Sequence, residues 1–482
     1  MKNTGSSVLS NFIWRLMERV GAQLVSVVVS IVLARILSPT DYGIVALINV
    51  VINILTVFVT AGFSAALIQK KNADDIDFSS VFYVQMCICI IFYFLLFLAS
   101  PAIASFYRRP EMTDMLRVVG IILLIAGVKN VQISYVSRHM IFKKFFFATL
   151  GGTIGAAFVG IGMAKAGFGA WALIGQYIFN NLVDTIILWA TVKWRPKKVF
   201  SLERVKNLFS YSWKLLVSSL LDTGYNNLRS LIIGKVYSAA DLAFYDKGKQ
   251  LPNLIVSNVN SSIDSVLLPT MSSEQENLNR VKDMTRRAIK ISTYVMAPLL
   301  MGLAFCGEPL VQLLLTEKWL PCVPFMRIMC ITFLFYPIHT ANLNAIKAMG
   351  RSDLFLKLEI IKKLVGLTLM LITVPISVMA MACSLLVSSL ASQIINTWPN
   401  RKLMEYGYSE QLKDIFPGIL LAAFMGFCVY WFKYIPIHNV LILFIQVIVG
   451  AGIYIIGSKL FHIDSYEYLF TTIKSYIGNR KA

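Results

Sequence analysis

Charge is scarce in this chain, and negative charge scarcer still. Only 15% of its 482 residues are Asp, Glu, Lys or Arg, and 25 acids stand against 45 bases, a formal net charge of +20. Soluble domains run near about 25% charged, so there is too little charge here to clothe a surface in water. Histidine is rarer: His139, His339, His438 and His462 are scattered. No His-Glu-x-x-His, Gly-x-Ser-x-Gly or Gly-x-x-x-x-Gly-Lys-Ser/Thr run occurs. Zinc peptidase, serine hydrolase and P-loop ATPase chemistry therefore lack their residues. Seven cysteines include no Cys-x-x-Cys pair, and Cys87 and Cys89 sit in an apolar run where Cys acts as a small hydrophobe. Cys306 and Cys322 flank a loop at 307–323. A disulfide there is one alternative, and two free thiols are the preferred one.

What the chain has in abundance is apolar length. Apolar residues make up 57% of it and the mean hydropathy is +0.68, which points to an all-α integral membrane protein. A spanning helix takes about 20 mostly apolar residues. That rule gives fourteen spans, near 10–34, 42–67, 78–100, 114–137, 145–164, 169–192, 208–233, 244–271, 288–306, 324–347, 353–374, 377–397, 415–433 and 440–458. Val374-Pro375-Ile376 leaves room only for a tight turn between the eleventh and twelfth. The first apolar run lacks a cleavage pattern and is expected to stay in the mature protein. A pI near 9.6 would suggest nucleic acid in a soluble protein. Here the bases gather in short loops between spans, so no nucleic-acid partner is expected.

Those loops fix an orientation. With a cytoplasmic N-terminus the internal segments hold 27 Lys and Arg and the external ones 7, which puts both termini inside. The longest internal polar segment, 193–206, separates two halves that repeat. Trp14-Arg15-Leu16 is answered by Trp213-Lys214-Leu215, and the Arg35–Tyr42 turn by Lys235–Leu242. Six spans per half is an even number, so the repeats run parallel, related by an axis along the membrane normal. The expected organisation is an N-terminal six-helix lobe (1–192), a cytoplasmic linker (193–206), a second six-helix lobe (207–400), and two additional helices with a cytoplasmic tail (401–482).

At several of these joints the sequence resembles a known family. Ile31-Val-Leu-Ala-Arg-Ile-Leu-Ser-Pro-Thr-Asp-Tyr-Gly43 and Ala61-Gly-Phe-Ser-Ala-Ala-Leu-Ile-Gln69 are similar to the start of Wzx-type polysaccharide flippases, especially the colanic acid exporter subgroup. Arg138-His-Met-Ile-Phe-Lys143, Ala166-Gly-Phe-Gly-Ala-Trp-Ala-Leu173 and Met349-Gly-Arg-Ser-Asp353 extend the likeness over about residues 1–400. The family lies in the multidrug/oligosaccharidyl-lipid/polysaccharide exporter superfamily. The resemblance implies two six-helix lobes around a polar, cationic cavity. It also implies movement of an oligosaccharide on undecaprenyl pyrophosphate from the cytoplasmic to the outer leaflet of a bacterial inner membrane. Glycosyltransferases inside and a polymerase outside are implied as partners, for O-antigen, capsule or exopolysaccharide synthesis.

The residues that bear on chemistry are charges inside spans, each of which needs a partner or a wet cavity. Eleven bases fall there: Arg15, Arg19, Arg117, Lys129, Lys214, Arg229, Lys247, Lys249, Arg327, Lys362 and Lys363. Six acids accompany them: Glu18, Asp184, Asp222, Asp246, Asp264 and Glu359. A cationic cavity for an anionic carrier explains the excess, since Arg and Lys bind phosphate oxygens. Arg15, Arg19, Lys129, Lys214, Arg229, Lys362 and Lys363 are the candidate path residues. For each the bland reading is an internal ion pair or a side chain snorkelling to the headgroups, and Glu359 is spaced to neutralise Lys362. Arg117, Arg327, Lys247 and Lys249 lie near external ends, where snorkelling is favoured. Tyr225, Asn226, Asn227, Asn258, Asn260, Ser261 and Ser262 offer sugar partners. Asp222, Asp264 and Glu18 are candidates for H⁺ or Na⁺ coupling, with no other cofactor or metal expected.

Other classes stay in view. A membrane glycosyltransferase or polysaccharide ligase would need a large external loop or a catalytic carboxylate motif, so an enzyme is not expected. A drug exporter of the same fold would favour an acidic cavity. Glycine-rich runs such as Gly151–Gly155 and Gly160–Gly162 suit close helix packing in any of these.

Overall fold

The computed structural model describes residues 4–479 apart from 61, 71, 140 and 142, without the side chains of 4–16, 18–20, 143, 144, 211, 472, 473 and 476–479. Every regular element among the described residues is a helix, and the chain divides into two compact units, 1–243 and 244–482. The first holds α1 (Thr4–Ile36), α2 (Pro39–Thr60), α3 (Phe63–Gln69), α4 (Asp75–Phe106), α5 (Met112–Val119), α6 (Ile121–Arg138), α7 (Lys143–Lys165), α8 (Ala170–Thr191) and α9 (Leu202–Val236). α10 (Ala239–Ser273) starts there and ends in the second. The second also holds α11 (Leu278–Phe305), α12 (Gly307–Leu315), α13 (Val323–Phe333), α14 (Tyr336–Ala348) and α15 (Ser352–Thr373). It closes with α16 (Val378–Leu403), α17 (Tyr408–Tyr430), α18 (Asn439–Leu460) and α19 (Asp464–Asn479).

Among the described residues, nine stretches are long and apolar enough to cross a bilayer, from Pro39–Gln69 to Asn439–Leu460. The all-helical, multi-span expectation holds. The other segments expected to span are also helical, but polar. α8 carries Asn180, Asn181 and Asp184, and α9 carries Asp222, Asn226, Asn227 and Arg229. α10 carries Asp246, Lys247, Lys249 and Asp264, and α15 carries Glu359, Lys362 and Lys363. In α1, Gly21–Ile36 forms a shorter apolar stretch.

The two matching turns of the sequence have matching geometry. In the first, Ser38 donates from its backbone N and Oγ to Asp41 Oδ2 at 3.0 and 2.6 Å, and Asp41 N donates back to Ser38 Oγ at 3.2 Å. Ser238 and Asp241 repeat this at 3.1, 2.6 and 3.1 Å. Each reciprocal pair satisfies donors that a helix start leaves open. The two helix starts also touch: a Cβ on Gly43 would overlap the Ala239 carbonyl, and one on Gly234 would overlap Leu47. Glycine lets α2 close against the α9–α10 turn. α7 packs on α8 in the same way, with Gly152 and Gly160 against Asn180 and Gln176.

Other joints follow the sequence or amend it. Ser377 caps α16 and Ile376 N donates to Thr373 O at 3.1 Å, which makes the expected tight turn. All seven cysteines are free thiols, Cys306 and Cys322 among them. The 307–323 segment is not a loop: α12 and a 3-10 turn (Glu317–Cys322) fill it, with Trp319 fully buried. The tail after the last span is helical over α19, where Tyr466, Phe470 and other apolar residues alternate with polar ones.

Candidate substrate path

Lys129 lies on α6 and reaches α8, where its Nζ donates to Asp184 Oδ2 at 2.9 Å and Asn181 Oδ1 at 3.1 Å. Both ends of the pair are mostly buried, at 15% and 18% exposed. Asn181 is itself braced by Tyr177, whose carbonyl accepts from Nδ2 at 3.0 Å. The cation is thus paired and fixed between two helices. In hydrocarbon this arrangement is stable where a lone ammonium is not.

Along α9 the candidates separate. Lys214, near its start, is exposed, whereas Arg229 is buried, at 8% exposed. Asp222 accepts from Asn226 Nδ2 at 3.1 Å, one helical turn on. Asn227 Nδ2 turns back to its own helix, to Thr223 O. Arg15, Glu18 and Arg19 belong to α1, and their side chains lie outside the described residues.

In the second unit Lys362 Nζ meets Glu359 Oε1 at 2.5 Å, three residues back on α15. Lys363, the next residue, is half-buried and points away from that pair by about 100° of helix. Asp264 Oδ1 accepts from Asn344 Nδ2 of α14 at 2.7 Å. Cations at the far ends of spans are also held. Arg117 donates to Ser100 Oγ at 3.1 Å and lies 4.5 Å from the Phe97 ring. Arg327 donates to Glu308 at 2.8 Å, a carboxylate that also accepts from Lys433 at 2.9 Å. Lys247 is buried and donates to Gln250 Oε1 at 3.1 Å.

One polar group escaped the sequence reading because its residues were judged singly. His339 of α14 faces Ser389 Oγ through Nε2 at 3.2 Å and Asn396 Nδ2 through Nδ1 at 3.3 Å. Gln393 lies between them on α16, fully buried, with neither amide atom hydrogen-bonded. Spacings of four and three place residues 389, 393 and 396 on one face of α16. That spacing was the available signal. Among the described residues no group of His, Cys, Asp and Glu could hold a metal ion.

The motifs that carry the family resemblance have a different role from these charges. Arg138 Nη1 donates to Leu67 O at 2.9 Å and to Lys70 O at 2.5 Å, closing the end of α3, so the second and third motifs form one joint. Gly167 and Gly169 take φ of +83° and +54°, and Gly169 lies against Asp41 of the first motif. Gly350, at φ +71°, turns the chain before the Arg351–Asp353 ion pair. Each of these contacts lies at a cap or turn where helices meet.

Comparison with known proteins identifies the family. A family model described as polysaccharide biosynthesis protein matches residues 32–324. The chain is 26% identical over 373 residues to the teichuronic acid biosynthesis protein TuaB of Bacillus subtilis, covering 76% of each chain. It is 25% identical over 327 residues to the succinoglycan biosynthesis transport protein ExoT of Rhizobium meliloti, covering 68% of this chain and 66% of that one. Among solved structures, the lipid II flippase MurJ in an inward closed conformation superimposes with a TM-score of 0.76. That match has 15% identity and covers 94% of this chain and 99% of the other. The resemblance expected from the motifs holds: this multi-span membrane chain belongs to the polysaccharide biosynthesis protein family and is a membrane transporter, not an enzyme.

Proposed function

We propose that this protein is a flippase. It carries oligosaccharide units linked to undecaprenyl pyrophosphate across the bacterial inner membrane, for the synthesis of a surface polysaccharide. The observation that carries the reading is the family match over residues 32–324, with relatives named for teichuronic acid biosynthesis and succinoglycan transport. The intramembrane charge fits it: eleven bases against six acids suit a diphosphate cargo and oppose an organic cation.

In this reading fourteen spans cross the membrane with both termini cytoplasmic. Lobes 1–192 and 207–400 rock about a cationic cavity, joined by the 193–206 linker, with 401–482 added outside the repeat. Arg15, Arg19, Lys129, Lys214, Arg229, Lys362 and Lys363 engage the diphosphate, and Lys129 and Lys362 exchange their carboxylate partners for it. The prenyl chain stays in lipid. Asp222, Asp264 and Glu18 couple the cycle to H⁺ or Na⁺. Glycosyltransferases load the carrier on the inner face and a polymerase takes it on the outer.

Translocation of an undecaprenyl-pyrophosphate oligosaccharide in proteoliposomes tests the proposal. Wild type is expected to transport it, and Arg19→Ala and Lys362→Ala to lose at least about tenfold in rate while keeping their folded yield. A wild type that ignores the lipid-linked sugar and expels organic cations overturns it.

A further inference from the structure

Residues 193–206 read as a cytoplasmic linker in sequence, and they are fastened to the start of α4. Trp194 is buried, at 7% exposed, and its Nε1 donates to Asp75 Oδ1 at 3.1 Å. Its carbonyl accepts from Gln132 Nε2 at 3.1 Å. Lys197 N donates to Ser79 Oγ and Ser201 N to Ser80 Oγ, each at 2.9 Å, and Tyr83 Oη donates to Lys197 O at 3.1 Å. Two ion pairs complete the clasp, Lys197 with Asp75 and Arg204 with Asp74, both at 2.6 Å.

This docking sets the depth of the segment. Asp75 opens a stretch apolar enough to span the bilayer, Asp75–Phe106. Ser79, Ser80 and Tyr83 lie one to two turns in, at about 1.5 Å rise per residue. A stretch of chain bonded there sits within two helical turns of where that apolar stretch begins. Its exposed side chains suit a headgroup layer: Val199, Phe200 and Leu202 stand out at 39%, 55% and 56% exposed. Beside them Lys193, Lys198 and Lys206 are exposed and have no ion pair among the described residues. The acids within reach, Asp74, Asp75 and Asp77, are already engaged by Arg204, Lys197 and Lys70. Within 193–206 only Glu203 is acidic, against six bases.

We propose that the docked segment 193–206 is a binding site for anionic phospholipid of the cytoplasmic leaflet. Lys193, Lys198 and Lys206 contact headgroup phosphates, and Val199, Phe200 and Leu202 enter the acyl boundary. Apolar tips flanked by lysine favour lipid over a free anion, because the apolar groups gain only when they leave water. The inference goes beyond the transport reading: it concerns bulk lipid, not the carried sugar.

The test uses the full chain in nanodiscs of phosphatidylcholine alone or mixed with phosphatidylglycerol. Retained lipid is read by native mass spectrometry, and amide exchange is read across 193–206. Wild type is expected to retain phosphatidylglycerol preferentially and to exchange more slowly in its presence. A Lys193→Gln/Lys198→Gln/Lys206→Gln variant is expected to lose that preference by about tenfold or more, with α4 exchange unchanged. Equal exchange in both lipids, or equal retention by the variant, overturns the proposal. So does protection by inorganic phosphate in phosphatidylcholine alone, which would mean a simple anion site. Because lipid retention is read without transport, its failure leaves the flippase reading standing.

Discussion

At the scale of single residues, several intramembrane cations rest on carboxylate partners. Lys129 has Asp184, Lys362 has Glu359, and Arg327 has Glu308. Pairing alone does not separate a path residue from a structural one, since both must be neutralised in lipid. A cycle of substitutions does. Asp184→Asn leaves a mostly buried ammonium without its counter-charge, an expected loss on the order of 3 kcal/mol, seen as a lower Tm in detergent. Lys129→Met with Asp184→Leu removes both charges and is expected to restore most of that stability. If Lys129 carries cargo, the double variant folds and transports at least about tenfold more slowly. If the pair is only a brace, transport returns with stability. The pairing of Lys362 with Glu359 was legible from a spacing of three. Lys129 with Asp184 was not, because 55 residues separate them and only the packing of α6 on α8 joins them. The His339 group was hidden for the same reason, with its partners 50 and 57 residues away.

Elements were easier to read than their joints. Apolar length located the nine stretches that can cross a bilayer among the described residues, since about 20 residues of hydrocarbon-compatible chain can do little else. Their ends moved where polar turns continue a helix beyond the bilayer. α9 starts at Leu202 instead of 208, and α11 at Leu278 instead of 288. α19 was missed because hydropathy rewards continuous apolar runs and overlooks a half-polar helix. Its attachment is electrostatic at one end: Asp464 pairs with Lys290 at 2.7 Å, and Arg287 lies 4.9 Å from the Tyr468 ring. The hydrogen bond from Lys290 holds the Asp464 carboxyl below its ordinary value. A depressed carboxylate contributes its stability above its unfolded pKa, about 3.9, and loses it as pH falls through the folded value. Attachment of α19 is therefore expected to be constant from neutral pH down to about pH 4 and to weaken below it. Hydrogen exchange over 464–479 at graded pH, corrected for intrinsic rates, checks this. Asp464→Asn is expected to show the weakened state already at pH 7, and an Asn variant matching wild type would assign the attachment to apolar contacts instead.

Over the whole molecule, two turns that match in sequence also match in geometry. The Ser38–Asp41 and Ser238–Asp241 turns share the same three hydrogen bonds within 0.1 Å. Equivalent turns conserve scaffold, so energy coupling is to be sought where the halves differ. Asp222 and Asp264 answer to no acid at the equivalent offset of 200, where Asp222 faces Ala22 and Asp264 faces Ser64. Each carboxylate accepts from an amide, Asp222 from Asn226 and Asp264 from Asn344. The amide of Asn344 stays neutral whether Asp264 is protonated, free or holding Na⁺, so that contact resists cation exchange less than a salt bridge does. Transport in proteoliposomes is accordingly expected to accelerate with an imposed H⁺ or Na⁺ gradient. Asp222→Asn or Asp264→Asn is expected to abolish that acceleration while leaving counterflow at equal ion concentrations within about twofold of wild type. Gradient-insensitive transport in the wild type would remove coupling from both residues. Loss of counterflow together with the gradient response would instead place the carboxylate on the path of the sugar.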